Sequence, residues 1–349
     1  MAYFKFNGIG IKGISVTVPK NVVKTCEQTK YFTESHLTSF IESTGIEEKR
    51  IASKHICASD LCFDAATKLI SSLSIPLDQI DVLIFVSQTP DYRAPSTSVL
   101  LQHKLKLSKS TLSFDVNMAC TGYLNGLFLA YSIIMSGAKN VLLLVGDTLS
   151  KVTSPKDKAT ALLLGDAGSA TLISNGGEYG DTYFSFNTDG SNFHAINIPM
   201  GGFKSMSSVD SLKGKEYDDG SVRSGEQIFM DGMEVFGFAI SELPKDMKCL
   251  LEYAKKDLTD IDKFVLHQAN RLMMNTIAKK VKMDKSKILY SIDKFGNTSA
   301  TSIPLTMVHQ KSHLRNGELI LMNAIGSGFS WGTMLLNYNN CDILDLNEI

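Results

Sequence analysis

Apolar runs of strand length alternate along this chain with longer stretches whose apolar residues recur every three or four positions. LIFVS at 83–87, VLLLVG at 141–146 and KFVL at 263–266 read as buried strands, as does the apolar run that ends at Gly326. HICASDLCFDAATKLI at 55–70 reads as a helix with one apolar face. A second helix carries Leu124, Leu127, Phe128, Tyr131 and Met135 at helical spacing and stops at Gly137. In RLMMNTIAKKVKMDK at 271–285, Met273, Met274, Ile277, Ala278 and Val281 form a stripe to be buried. Arg271, Asn275, Lys279 and Lys282 fall on the opposite face, which predicts a basic exposed ridge. Strands alternating with helices predict an α/β architecture with both sheet faces covered.

The pattern also repeats itself. LDQIDVLIFVSQT at 77–89 resembles LTDIDKFVLHQAN at 258–270, and SFDVNMACTGYLNGL at 113–127 resembles YSIDKFGNTSATSIPL at 290–305. Each member of the second pair reads as a strand, a tight turn and a helix start. Ile80 precedes Cys120 by 40 residues and Ile261 precedes Asn297 by 36. A duplicated plan, with halves at 1–178 and 179–349, is the simplest account, and a pseudo-twofold axis would set Cys120 opposite Asn297. Residues 176–230 are rich in Gly, Ser, Asp and Asn with weak periodicity, so they are expected to form the boundary and surface loops, part of them a lid.

With 349 residues and 44% hydrophobic positions, the chain can bury one large core or two closely packed ones. Its net charge of −1 supplies no global field for nucleic acid or an anionic membrane. The first twenty residues alternate apolar with polar or glycine positions and contain no apolar block suited to a signal peptide or a span, so a cytoplasmic location is expected. Six cysteines without a CxxC pair, and seven histidines without HExxH, predict neither a disulfide scaffold nor a metal site.

Three residues carry candidate chemistry. Cys120 ends one strand and begins a helix, where unpaired amides and the helix dipole favour a thiolate and thus an acyl acceptor. His267 follows the strand KFVL, and Asn297 lies in FGNTSA. Taken singly, a core thiol, a satisfied histidine and a turn residue or helix N-cap would each suffice. None of these explains why all three fall at the ends of equivalent strands. The turn Gly326-Ser327-Gly328 follows another strand. It reads either as a hairpin turn or as the source of a Ser327 amide that, with the Cys120 amide, forms an oxyanion hole.

Cys120 in FDVNMACTGY, HQAN at 267–270, GNTSA at 296–300 and GSGFSWG at 326–332 resemble the β-ketoacyl-acyl-carrier-protein synthase III family of the thiolase superfamily. TGIEEKRIA at 44–52 and MDGMEVF at 230–236 extend the resemblance. It implies a five-layered αβαβα fold of two duplicated halves, a homodimer, and Cys120, His267 and Asn297 as catalytic residues. It further implies substrate contacts at Ala94, Phe236, Asn270, Gly326 and Gly328, and carrier-protein contacts at Arg271, Lys279 and Lys282. The implied reaction takes an acyl group from coenzyme A or a carrier onto Cys120, then condenses it with malonyl-carrier as carbon dioxide leaves. Those thioesters are substrates, and no cofactor is needed.

Departures bear on the starter. Ser39 and Ser43 stand where the family usually carries the Trp and Arg that hold the coenzyme A adenine, and Lys158 where a second Arg is common. Ala94 replaces a Phe that a partner subunit inserts to close the acyl pocket. These changes imply a larger starter and a specialised lipid or polyketide pathway. The alternatives are acyl transfer to a hydroxyl or amine without decarboxylation, a biosynthetic thiolase, which would want a cysteine where Ser327 stands, and a non-catalytic partner subunit, which would lack the nucleophile.

Overall fold

Five strands lie side by side in the order Ile9–Val18, Ala167–Asn175, Asn140–Asp147, Val82–Val86 and Leu112–Val116. The first two junctions are antiparallel and the last two parallel, with Val82 level with Val141 and with Leu112. The computed structural model describes residues 2–176 and 178–349.

The second half repeats this plan. Thr182–Thr188, Ser330–Tyr338, Glu318–Gly326 and Lys263–Leu266 follow one another through two antiparallel junctions and one parallel junction. Even the approach to the equivalent strands matches, since a 3₁₀ turn at Leu77–Gln79 precedes one and a 3₁₀ turn at Leu258–Asp260 precedes the other.

The halves differ at their fifth strand. The expected strand before Asn297 is reduced to one parallel bridge between Phe264 and Ile288, and Ile292–Phe295 is helical instead. Side chains take the backbone groups that a strand would have paired. Gln268 Oε1 accepts the Ser291 N–H, and Gln310 Nε2 donates to the Tyr290 carbonyl. A second correction concerns the Gly- and Ser-rich stretch, because Thr182–Thr188 is a full strand between two neighbours rather than a loop. Its alternation of Phe184, which is buried, with half-buried Tyr183 was obscured by polar flanks.

The termini cross between the halves. Ala2–Phe6 pairs with Thr182–Thr188, whereas Asp342–Ile343 and Asn347–Glu348 pair with Ile9–Val18.

Helices complete five layers. Gly122–Met135 and Ser302–His309 lie between the sheets, where Tyr123, Leu124, Leu127, Ile303 and Leu305 join one core with side chains of both. Ala58–Leu73 and Thr97–Lys104 cover the outer face of the first sheet, and Gly232–Ala254 and Arg271–Val281 cover that of the second. Strands covered on both sides must be apolar throughout, which is why every residue of VLIFV at 82–86 is buried. Each large side chain so buried stabilises the fold by about 2 kcal/mol. Gly122 permits the close approach of the central helix, since a Cβ there would lie 2.7 Å from Val86 and 3.1 Å from Ala300. No helix among the described residues is long and apolar enough to cross a membrane.

Candidate active site

The close approach of the two sheets brings the three sequence candidates together. Cys120, His267 and Asn297 line one cavity of about 70 Å³, walled by Leu163, Ile196, Val235, Met273 and Ile325. The cavity shares Gly232 and Asn270 with an open groove formed by Ser43, Thr44, Met233, Phe236 and Leu272. A narrow entrance thus leads from the surface to the thiol.

Cys120 immediately precedes Thr121, the N-cap of the central helix. Burial pushes its thiol up to about 12, Ser299 Oγ at 3.9 Å opposes that rise, and the nearby Asp147 carboxylate adds to it. The expected lowering at a helix N-terminus is therefore overturned. Desolvation in an apolar cavity, with an anion close by, outweighs a dipole that acts on a residue outside the first turn.

His267 directly follows the strand Lys263–Leu266, and its backbone N–H donates to the Asn323 carbonyl at 2.8 Å. Its Nδ1 lies 2.7 Å from Ser302 Oγ. That hydroxyl oxygen also accepts the Gln268 N–H at 3.4 Å, and the hydroxyl can either donate to Nδ1 or accept from it. Burial lowers the imidazole to about 4, against a smaller opposing effect from a backbone hydrogen bond at Ser299, so the ring is neutral at pH 7.

Asn297 is anchored through its backbone, whose N–H donates to the Leu163 carbonyl at 2.9 Å and whose carbonyl accepts the Gly165 N–H at 3.0 Å. Its Oδ1 accepts the Ser299 N–H at 2.9 Å. The carboxamide orientation follows, and Nδ2 is left as the donor at the cavity.

Sequence reasoning missed Ser299, although the residue lies within GNTSA. Its hydroxyl faces Cys120, its N–H fixes Asn297, its backbone reaches His267, and its side chain also favours the charge of Asp147. It holds a left-handed backbone with φ of 53°, an uncommon conformation for a residue with a Cβ. Asp147 was missed as well. It is fully buried and raised to about 6 by desolvation, while its Oδ1 accepts the Gln88 N–H and the Ser87 and Thr89 hydroxyls. The only sequence signal for either residue was its position, one in the turn after Asn297 and the other at the end of a buried strand.

The remaining candidates fall into distinct places. Gly326 packs against the nucleophile's backbone, where a Cβ would lie 3.0 Å from the Cys120 nitrogen, so only glycine lets the turn come this close. Ser327 follows it, with Oγ accepting from Gln88 Nε2 at 3.2 Å, and Gly328 has a φ of 69°. Gly326 thus lies against the Cys120 amide, and Ser327 and Gly328 continue the turn that follows it. Phe236 lines the outer groove, and Asn270 lines both spaces while its Oδ1 caps the following helix through the Met273 N–H. Ala94 is exposed and lies outside its own chain's cavity. Ser39 and Ser43 are exposed, and Lys158 Nζ donates to the Asp219 carbonyl.

Arg271 departs from the expected ridge. Its guanidinium stands over the Tyr290 ring at 5.0 Å and packs beneath Gly45, which half-buries it. Asn275 is half-buried too, accepting from the Tyr290 hydroxyl, whereas Lys279 and Lys282 are exposed. The helix face turns toward the 44–46 loop at its start, a contact that helical periodicity does not reveal.

A cysteine, a neutral histidine and a carboxamide gathered between two duplicated sheets define an acyl-transferring enzyme of the thiolase fold. Residues 114–190 and 251–338 match the models for 3-oxoacyl-[acyl-carrier-protein] synthase III and for its C-terminal part. A β-ketoacyl-[acyl-carrier-protein] synthase III of Fusobacterium nucleatum is 32% identical over 95% of this chain and 98% of its own length. One from Chlamydia caviae is 36% identical over 85% and 87%. The crystal structure of a 3-oxoacyl-(acyl-carrier protein) synthase from Burkholderia xenovorans superposes with a TM-score of 0.92 at 35% identity, covering 100% of this chain and 99% of that one. The chain belongs to the 3-oxoacyl-[acyl-carrier-protein] synthase III family of condensing acyltransferases.

Proposed function

We propose that this protein condenses an acyl thioester with malonyl-acyl carrier protein to give a 3-oxoacyl-acyl carrier protein, through an acyl group held on Cys120. The observation that carries this reading is the convergence of Cys120, a neutral His267 and an oriented Asn297 on one cavity.

In the first step Cys120 Sγ bonds to the acyl carbon, the donor's C–S bond breaks, and the departing thiolate collects the proton that the thiol loses. Because burial disfavours a free thiolate, proton loss and C–S formation are coupled. The Cys120 and Ser327 amides stabilise the tetrahedral oxyanion. Malonyl thioester then loses carbon dioxide, and the electron pair released moves onto its thioester oxygen. His267 Nε2–H and Asn297 Nδ2–H hold that oxygen. Neutral donors of this kind stabilise the enolate without protonating its carbon. The carbanion attacks the acyl-Cys carbonyl, and Cys120 leaves as a thiolate and takes up a proton. Every step uses protein donors, with coenzyme A or carrier thioesters as substrates.

The malonyl carrier docks beside exposed Lys279 and Lys282, on the helix whose first turn forms the entrance. A homodimer is supported by the edge strand Leu112–Val116, which pairs on one side only, and by exposed Leu112, Val99 and Met135. One chain offers about 70 Å³ beside the thiol, room for a short acyl group. A longer starter, as in a specialised lipid or polyketide pathway, uses the space that Ala94 of a second copy leaves open.

Incubation with an acyl thioester and malonyl-carrier tests the reading. An acyl adduct mapped to Cys120, followed by carbon dioxide release and a 3-oxoacyl product, supports it. Full turnover by Cys120→Ala would sink it, and acyl transfer without carbon dioxide would favour a hydroxyl or amine acceptor.

A further inference from the structure

A second cavity, of about 390 Å³, adjoins the backbone that carries Asn297. Leu163 lines the active-site cavity and Leu164, which bridges to Asn297, lines this one. Its walls are mainly apolar, including Phe32, Ile51, Leu162 and Leu164, and exposed Tyr31 and Pro155 stand at its rim.

Lys49 is the anomaly. Its side chain lines the cavity yet the residue is only 6% exposed, and its ammonium hydrogen-bonds only the Ala161 carbonyl among the described residues. A lysine has three donors, and a buried charge is costly without an opposite charge. No carboxylate of the described residues lies within ion-pair distance of Lys49 Nζ. Asp166 influences it through space, but the Asp166 oxygens already accept from the Ala52 and Ser150 amides and from the Ser150 hydroxyl. The other polar lining groups donate elsewhere, Thr153 to the Leu149 carbonyl and Gln28 to the Lys24 carbonyl. Lys49 is the charged group of the lining, and it is buried with donors to spare.

The charge that lines the cavity is positive. No Asp or Glu lines it, and Lys30 and Lys156 stand over the Tyr31 ring at 5.1 and 5.9 Å. One buried monovalent cation with apolar walls matches one monoanion with an apolar body. A phosphate dianion would call for a further buried cation or an arginine fork.

We propose that this cavity binds an amphiphilic monocarboxylate of medium chain length, with its carboxylate on Lys49 Nζ and its alkyl body against Tyr31, Phe32, Ile51 and Leu164. The space accommodates an eight-carbon acid. Burial lowers the empty-site ammonium to about 8, and a bound carboxylate would return it toward its ordinary value. The proposal is independent of the acyl group that Cys120 accepts.

Calorimetric titration of the full chain with sodium octanoate at pH 7 tests it. Octanoate should bind, and bind more tightly than 1-octanol. Lys49→Gln should weaken it by about tenfold or more, the loss of a charge-assisted contact. Thr153→Phe, which fills the cavity and leaves Lys49 in place, should weaken it likewise and keeps the test valid if Lys49→Gln fails to fold. Val235→Trp, which fills the active-site cavity instead, should leave octanoate affinity unchanged. A dissociation constant above about 10 mM, indifference to Thr153→Phe, or loss in Val235→Trp would overturn the proposal.

Discussion

Ser299 donates its backbone N–H to Asn297 Oδ1 at 2.9 Å while its hydroxyl faces Cys120 Sγ at 3.9 Å, so one residue orients the carboxamide and contacts the nucleophile. Ser299→Ala keeps the N–H and removes the hydroxyl. It should slow acylation of Cys120 by about tenfold and leave malonyl decarboxylation nearly unchanged. Single-turnover acylation followed by mass spectrometry, alongside carbon dioxide release, separates the two. Equal loss in both would mean that Ser299 acts only by holding the backbone.

Asn297→Asp preserves Oδ1 for the Ser299 N–H but replaces the Nδ2 donor with an acceptor. Decarboxylation should fall by about 10²-fold or more, as expected when one donor to a developing oxyanion is lost. Cys120 acylation should persist, because the proposed mechanism assigns the oxyanion of that step to backbone amides. Loss of acylation as well would place Asn297 in the first half-reaction.

Asp147 and Cys120 are coupled by charge, since the carboxylate raises the thiol. Alkylation of Cys120 by iodoacetamide should climb with pH to at least pH 9 without a plateau, because the thiol titrates near 12. Asp147→Asn retains an oxygen for the Gln88 N–H and removes the charge, so alkylation at pH 8 should become faster. A plateau near pH 7 in the unmodified protein would contradict the dominance of burial.

His267 should keep decarboxylation flat from pH 5 to 8, with loss as pH falls through about 4, where the ring charges. Stability follows the same group. An unfolded histidine takes up its proton near 6.5 and the folded one near 4, so the unfolded state binds more protons between those values. Stability is therefore undiminished above pH 6.5 and declines toward pH 4, by an amount on the order of 3 kcal/mol. Urea melts of the protein and of His267→Gln across this range check it, and the variant should show the shallower slope.

The sequence alone determined the duplicated α/β plan, because buried parallel strands need continuous apolar runs and covering helices need a period near 3.6. It also marked Cys120 and His267 as residues that follow strands, since local context marks where a strand stops, and it singled out Asn297 although a short helix, not a strand, precedes that residue. Contacts between distant segments were decided only by tertiary structure. Cys120 lies near Asp147, which ends a strand of the same sheet, and near Ser299 because the two halves meet, and burial there reversed the expected effect of the helix end on the thiol. Arg271 turned inward because Tyr290 and Gly45 pack against it, and the fifth strand gave way where Gln268 and Gln310 took its hydrogen bonds. Burial and charge depend on neighbours far apart in the chain, and periodicity within a segment carries no record of them.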